Sequence, residues 1–267
     1  MHSDNFNKIS SLKDKYYDLY WVDGSLFLQV EDQLNLGSDS GSNPGSNPGS
    51  NTGSDKANDK KAESVLWALA KEVELPQDEI AHALSLQRLE VRKKYLISKI
   101  FRRKILSEVF NIPLKNLFFE EGSWGKPKIK HYPDFNLSHA GPYFFWIVAK
   151  RLNDAVGIDI EKTKPMDFLN LAARFFHPKE LEKLEQLADL DEKDFFQLWS
   201  FKEAFLKAMG QGIGYGLDKF AIEPRLGDWL VPDEWVSAQG LGVQLDKLKN
   251  LPAGYTGAAC LIFPGAD

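Results

Sequence analysis

Two short stretches hold the residue types that phosphate chemistry needs. The first is Val156–Pro165 (VGIDIEKTKP), which reads as a buried strand carrying Asp159 and Glu161. Residues two apart in a strand share a face. Two anionic side chains aimed together from an apolar strand are costly unless a cation neutralises them. The second is Leu198–Lys207 (LWSFKEAFLK), which reads as a helix bearing Glu203, Lys202 and Lys207. Three carboxylates with lysines beside them suit a Mg²⁺ site that handles a phosphate ester. Glu203 and Lys207 are spaced i, i+4, which also fits an ordinary helix ion pair. In the functional reading Glu203 holds the metal and takes a proton as general base, and Lys207 balances charge on the phosphate ester. The His₂ or Cys ligand sets of zinc sites are absent, and the single cysteine, Cys260, cannot supply one.

Two further blocks precede these, Gly125-Lys126-Pro127 and Phe135–His139 (FNLSH). Ser138 and His139 do not read as a serine-hydrolase pair, because neighbours in an extended segment face opposite ways and no Gly-x-Ser-x-Gly turn is present. The glycine-rich Gly210–Gly216 lacks the Lys-Ser/Thr ending of a P-loop.

The four blocks together resemble the signature of the Sfp-type (surfactin-synthetase type) 4′-phosphopantetheinyl transferases, over roughly residue 64 to the C-terminus. The resemblance implies an α+β fold of two similar αβ subdomains related by a pseudo-twofold axis, with the active site in the cleft between them. It implies Mg²⁺ held by Asp159, Glu161 and Glu203. It also implies coenzyme A as donor, contacted by Lys126 and Pro127 near the adenine, by Ser138 and His139 at phosphate oxygens, and by Asp159, Lys202 and Lys207. An apo acyl- or peptidyl-carrier protein would be the acceptor, modified on a serine hydroxyl. Two rival readings are a Mg²⁺-dependent nucleotide phosphohydrolase and a non-catalytic carrier-binding module.

Those blocks need elements to position them. Tyr16–Val30 reads as two strands turning at Asp23-Gly24, a hairpin signal. Gly37–Ser54 (GSDSGSNPGSNPGSNTGS) has almost nothing to bury and reads as part of a flexible linker. Ser64–Ala70 is expected to be a strand. Gln77–Leu86 and Gln87–Phe110 read as helices, and the second carries eight basic residues. Most of these form a solvated face; Lys94 first and Arg103 second are the candidates for the 3′-phosphate of coenzyme A. Short strands are expected at 117–121 and 126–129, and longer ones at 143–149 and 155–160. Helices are expected at 166–176, 178–188 and 194–209. The expected division is an N-terminal appendage (1–36), a linker (37–63), and subdomains at 64–154 and 155–267. Residues 164–176, with Met166, Phe168, Leu169, Ala172 and Ala173 in an apolar patch and Lys162, Lys164 and Arg174 on a basic rim, are the candidate carrier-docking surface.

At 267 residues and 43% hydrophobic content the chain can form a sizeable core. The net charge of −5 argues against nucleic acid as a partner. One cysteine, no apolar run long enough for a bilayer and no apolar signal core lead to the expectation of a cytoplasmic monomer away from membranes.

Overall fold

The structure is a computed structural model that describes residues 10–28, 52–186, 191–225, 228–230 and 240–265. The chain forms two compact units, Met1–Val22 with Ile105–Asp267, and Asp23–Lys104. This differs from the expected boundary at 154/155. No described helix is long and apolar enough to cross a membrane.

The larger unit begins with β1 (Ser10–Lys13) and β2 (Tyr17–Asp23), paired antiparallel with Lys13 opposite Asp18. Their turn is at Asp14–Tyr16, where the Asp14 carboxylate accepts from Tyr16 N at 3.1 Å. The turn expected at Asp23-Gly24 does not form. Asp23 instead accepts from Ser25 N at 2.9 Å and starts a short 3-10 turn, Gly24–Leu26. A carboxylate at an N-cap position competes for the same N–H groups that a hairpin turn would use.

The smaller unit is helical, with α1 (Thr52–Glu72), α2 (Gln77–Ser85) and the start of α3 (Leu89–Phe110). Two expectations are corrected here. Ser64–Ala70 is helix, and the linker expected at 37–63 has become helix by Thr52. Residues 55–63 contain Lys, Ala, Glu and Asp, which tolerate a helix far better than the glycine repeats before them. The rest of the linker, residues 37–51, lies outside the described residues. Within this unit Arg92 pairs with Glu63 at 2.7 Å, Lys93 pairs with Asp59, and Arg102 meets Glu79 at 2.5 Å.

The larger unit resumes with β3 (Glu120–Glu121) and β4 (Pro127–Lys128), a short pair, then β5 (Phe135–Ala140) and β6 (Tyr143–Ala149), a tight antiparallel hairpin. β7 (Ala155–Lys162) is followed by α4 (Phe168–Phe175), α5 (Pro178–Gln186) and α6 (Glu192–Ala208). β8 (Glu223–Arg225) pairs with β9 (Asp228–Leu230), and β10 (Leu241–Lys247) leads to β11 (Tyr255–Pro264). Two sheets matter for the site, with orders β1-β2-β6-β5 and β10-β11-β7.

Strand alternation decides what each face of the second sheet buries. Ala258, Cys260 and Ile262 of β11 pack with Phe201, Ala204, Phe205 and Ala208 of α6. Val156, Ile158 and Ile160 of β7, with Ala259 and Leu261, pack with Phe145, Ile147, Tyr17 and Leu19 of the first sheet. Asp159 and Glu161 therefore fall on the α6 face, as a period of two requires. α6 can approach β7 closely only because residue 157 is glycine; a Cβ there would lie 1.9 Å from Ala204 O and 2.5 Å from Ala208 N.

The free edge of β7 is met by side chains. Val156 N donates to Asp134 at 2.8 Å, Ile158 N to Asn136 at 3.1 Å, and Ile160 N to Ser138 Oγ at 3.3 Å. Three acceptors spaced two apart thus replace a backbone ladder and hold β5 against β7. A boundary at 154/155 would cut this seam, which is the physical reason that the unit runs through it.

Candidate active site

Asp159 sits near the end of β7 and is 2% exposed. Its Oδ1 accepts from Ser138 Oγ at 3.0 Å and from Lys207 Nζ at 2.6 Å, while its buried Oδ2 has no hydrogen-bond partner. Lys207 Nζ also reaches Ser138 Oγ at 3.2 Å and lies 3.6 Å from Glu203 Oε2. Glu203 is 7% exposed, and its Oε1 accepts from the indole N–H of Trp199 at 2.7 Å. Glu161, half-buried, lies two residues beyond Asp159 on the same face.

Charge in this cluster is unbalanced, with three carboxylates around one ammonium. Burial, then Asp159 and Glu203, push the Glu161 carboxyl up to about 7. Burial and then Asp159 raise Glu203, against the opposing pull of Lys207. Burial works against the charged form of Lys207, but Asp159 and Glu203 outweigh it and raise its pKa. Among the described residues no group of three or more His, Cys, Asp or Glu has the arrangement of a formed metal site. The donor set nevertheless suits a hard divalent cation, with oxygen ligands in excess of cationic charge and one buried oxygen still unpaired.

A cavity of about 450 Å³ opens beside the cluster, lined by His139, Glu161, Lys164, Met166, Phe195 and Trp199 among others. His139 is exposed on the opposite side of β5 from Ser138 and stacks on Phe144, centroids 5.2 Å apart. A second cavity, of about 460 Å³, is lined by Trp124, Lys126, Pro127, Lys128 and Gln211 among others. There Lys126 Nζ is held by Asp134 at 2.5 Å and by the carbonyls of Val156 at 2.8 Å and Ala208 at 3.5 Å. Burial lowers the pKa of Lys126 and raises that of Asp134. Lys126 therefore fastens the end of α6 to β7 as well as lining the cavity.

The structure brings Ser138, Asp159, Glu161, Glu203 and Lys207 together. It gives two other residues different work. Lys202, expected at the cofactor, is fully buried, and its ammonium donates to both oxygens of Glu180 at 2.7 Å and to Phe220 O at 2.7 Å. All three N–H bonds are taken, so none is left for a ligand. Arg103, in the smaller unit, is 2% exposed and donates from Nε to Val73 O at 2.8 Å, just past the end of α1; burial lowers its pKa. A guanidinium so placed serves a helix C-terminus. Lys94 is half-buried on α3.

Four contributors were not singled out from the sequence. Trp199 bonds a site carboxylate from one turn earlier in α6. Glu180 pairs with Lys202, and its Oε2 also accepts from His177 N at 2.9 Å. Its signal was a glutamate three residues after the N-cap position of α5. Asp134 and Asn136 complete the alternating acceptors that end at Ser138. The docking patch is narrower than expected. Ala172 is buried and Met166, Phe168 and Phe175 pack on the core, leaving Leu169 and Ala173 exposed beside Lys162, Lys164 and Arg174.

Comparison with known proteins agrees with this geometry. Residues 155–233, which hold all three carboxylates and Lys207, match the 4′-phosphopantetheinyl transferase superfamily. The chain is 42% identical over 131 residues to 4′-phosphopantetheinyl transferase psf-1 of Bacillus pumilus, covering 48% of this chain and 54% of that protein. It is 37% identical over 131 residues to 4′-phosphopantetheinyl transferase Sfp of Bacillus subtilis (strain 168), covering 48% and 56%. Against a further 4′-phosphopantetheinyl transferase of Bacillus subtilis, it is 32% identical over 158 residues, covering 55% and 69%. With psf-1 and Sfp the match thus spans about half of the relative's length. Sharing at least 30% identity over more than two thirds of the last of these, the chain belongs to the 4′-phosphopantetheinyl transferase superfamily.

Proposed function

We propose that the protein transfers the 4′-phosphopantetheine group of coenzyme A to a serine hydroxyl of an apo carrier protein. The observation that carries this reading is the cluster of Asp159, Glu161 and Glu203 around Lys207, in a chain of this family. The serine oxygen forms a bond to the β-phosphorus of coenzyme A, the bond to the bridging oxygen breaks, and adenosine 3′,5′-bisphosphate leaves. In such transfers positioning and electrostatics do most of the work. Glu203, its pKa raised by burial, takes the serine proton. Lys207, seated between Asp159 and Glu203, offers positive charge where the departing diphosphate gains negative charge. Ser138 holds the Asp159 carboxylate in place, and His139, exposed at the cavity, contacts phosphate oxygens. Asp159, Glu161 and Glu203 would hold Mg²⁺, which would neutralise the diphosphate. Exposed Leu169 and Ala173 with Lys162, Lys164 and Arg174 form the face for an acidic carrier in the cytoplasm.

The test is incubation with coenzyme A, Mg²⁺ and a panel of apo carrier domains, followed by mass spectrometry. A carrier that gains the mass of one phosphopantetheine group supports the reading. Coenzyme A consumed without any carrier points to hydrolysis, and no consumption with any carrier points to a binding module.

A further inference from the structure

Glu203 carries two tasks in the proposed reaction, and its two oxygens are not equivalent. Oε2 faces Lys207, whereas Oε1 accepts the Trp199 indole N–H at 2.7 Å. Indole N–H is a donor only and keeps its direction if its ring is fixed. The ring is fixed here, with centroids 5.8 Å from Phe175, 6.0 Å from Phe176 and 5.8 Å from Phe195. The Phe175 contact is edge-on, at 83° between planes. Trp199 also lines the 450 Å³ cavity, together with Glu161 of the carboxylate cluster. Among the described residues, the other polar partner of Glu203 is the Lys207 ammonium, at 3.6 Å.

We infer that Trp199 is a positioning residue for transfer, which holds Glu203 Oε1 by its N–H so that Oε2 is turned towards Lys207 and the reacting groups. The inference rests on the transferase reading, and it makes the aromatic cluster of α4 and α6 part of the catalytic apparatus. A hydrogen bond to a charged acceptor corresponds to roughly ten- to hundredfold in rate when it is needed only in the transition state.

Trp199→Phe keeps the ring and removes the donor. In the full chain, with coenzyme A, Mg²⁺ and a carrier that the wild type modifies, kcat should fall at least about tenfold while KM for coenzyme A changes less than about twofold. Glu203→Asp draws the carboxylate back by one methylene. On that background the Trp199→Phe change should have little further effect, because the bond is already lost. A separate readout needs no turnover. In protein labelled with 5-fluorotryptophan, the ¹⁹F resonance absent from Trp199→His should shift on Glu203→Asp substitution. Wild-type kcat retained in Trp199→Phe, additive losses in the double variant, or an unmoved resonance would each overturn the inference. A wild type that modifies no carrier would instead defeat the transferase reading, and the fluorine measurement would still decide whether Trp199 governs Glu203.

Discussion

Replacing Lys202 should damage stability and leave coenzyme A affinity alone, because its ammonium is committed to Glu180 and Phe220 O. Removing one member of a buried ion pair typically costs about 3–5 kcal/mol, since the other charge is left uncompensated. The structure refines that range. In Lys202→Met, Glu180 still accepts from His177 N at 2.9 Å and Ile222 N at 2.6 Å, so the loss should lie near the lower end. An orphaned carboxylate can also escape by taking a proton, which at pH 7 costs about 4 kcal/mol from an ordinary glutamate pKa and less as pH falls. In Glu180→Leu the ammonium keeps Phe220 O and the rings of Phe220 and Phe176, 4.2 Å and 5.7 Å from its nitrogen. Its escape is to lose a proton, at about 5 kcal/mol at pH 7 and less as pH rises. Burial already lowers the pKa of this lysine. The two single variants should therefore show opposite pH trends. The Lys202→Met deficit shrinks towards acid, and the Glu180→Leu deficit shrinks towards alkali. Urea unfolding at about pH 5.5, 7 and 8.5 would measure both. Parallel trends would refute the reasoning. So would a Lys202→Met protein of wild-type stability with a raised KM for coenzyme A, which would restore the ligand contact expected from the sequence.

Three other outcomes follow from the same structure. Gly157→Ala should lower stability by about 1–3 kcal/mol and reduce transfer, because its methyl group meets the α6 backbone and shifts Glu203 and Lys207 away from Asp159; equal stability and activity would show that α6 does not rest on Gly157. In metal-free protein Glu161 keeps its proton up to about pH 7 when folded but releases it near 4.5 when unfolded, so this group withdraws about 1–3 kcal/mol of stability as pH rises through that window. Glu161→Gln should flatten that part of the pH–stability curve, and an unchanged slope would discard the shift. Deleting residues 1–22 should lower stability and solubility, since it strips β1 and β2 from their sheet and breaks the Tyr17 to Asp246 hydrogen bond of 2.7 Å; a truncated chain with an unaltered melting temperature would count against it.

What could be read in the sequence was what local spacing determines. A period of two in Val156–Glu161 placed Asp159 and Glu161 on one face, and a period of 3.6 placed Glu203 and Lys207 on another, with only Gly157 to hint that the two faces would meet. The misread elements are those in which local signals compete. Ser64–Ala70 (SVLWALA) is a short apolar run that suits strand or helix equally, and only its continuity with Lys60–Glu63 decides for helix. Asp23-Gly24 suits a hairpin or an N-cap, and Ser25 N decides for the cap. Lys202 and Glu180 are separated by 22 residues, and no periodicity says that a lysine beside a site glutamate turns inward. The alternating Asp134, Asn136 and Ser138 show the boundary most sharply. Their spacing is plain in the chain, but its meaning depends on β7 ending its sheet among the described residues, which is a property of the assembled sheets. Ser138 thus supports β7, steadies Asp159 and meets Lys207 with one hydroxyl. A residue with structural and chemical partners on one atom constrains both, so a change at Ser138 should disturb the β5–β7 seam and the carboxylate cluster together.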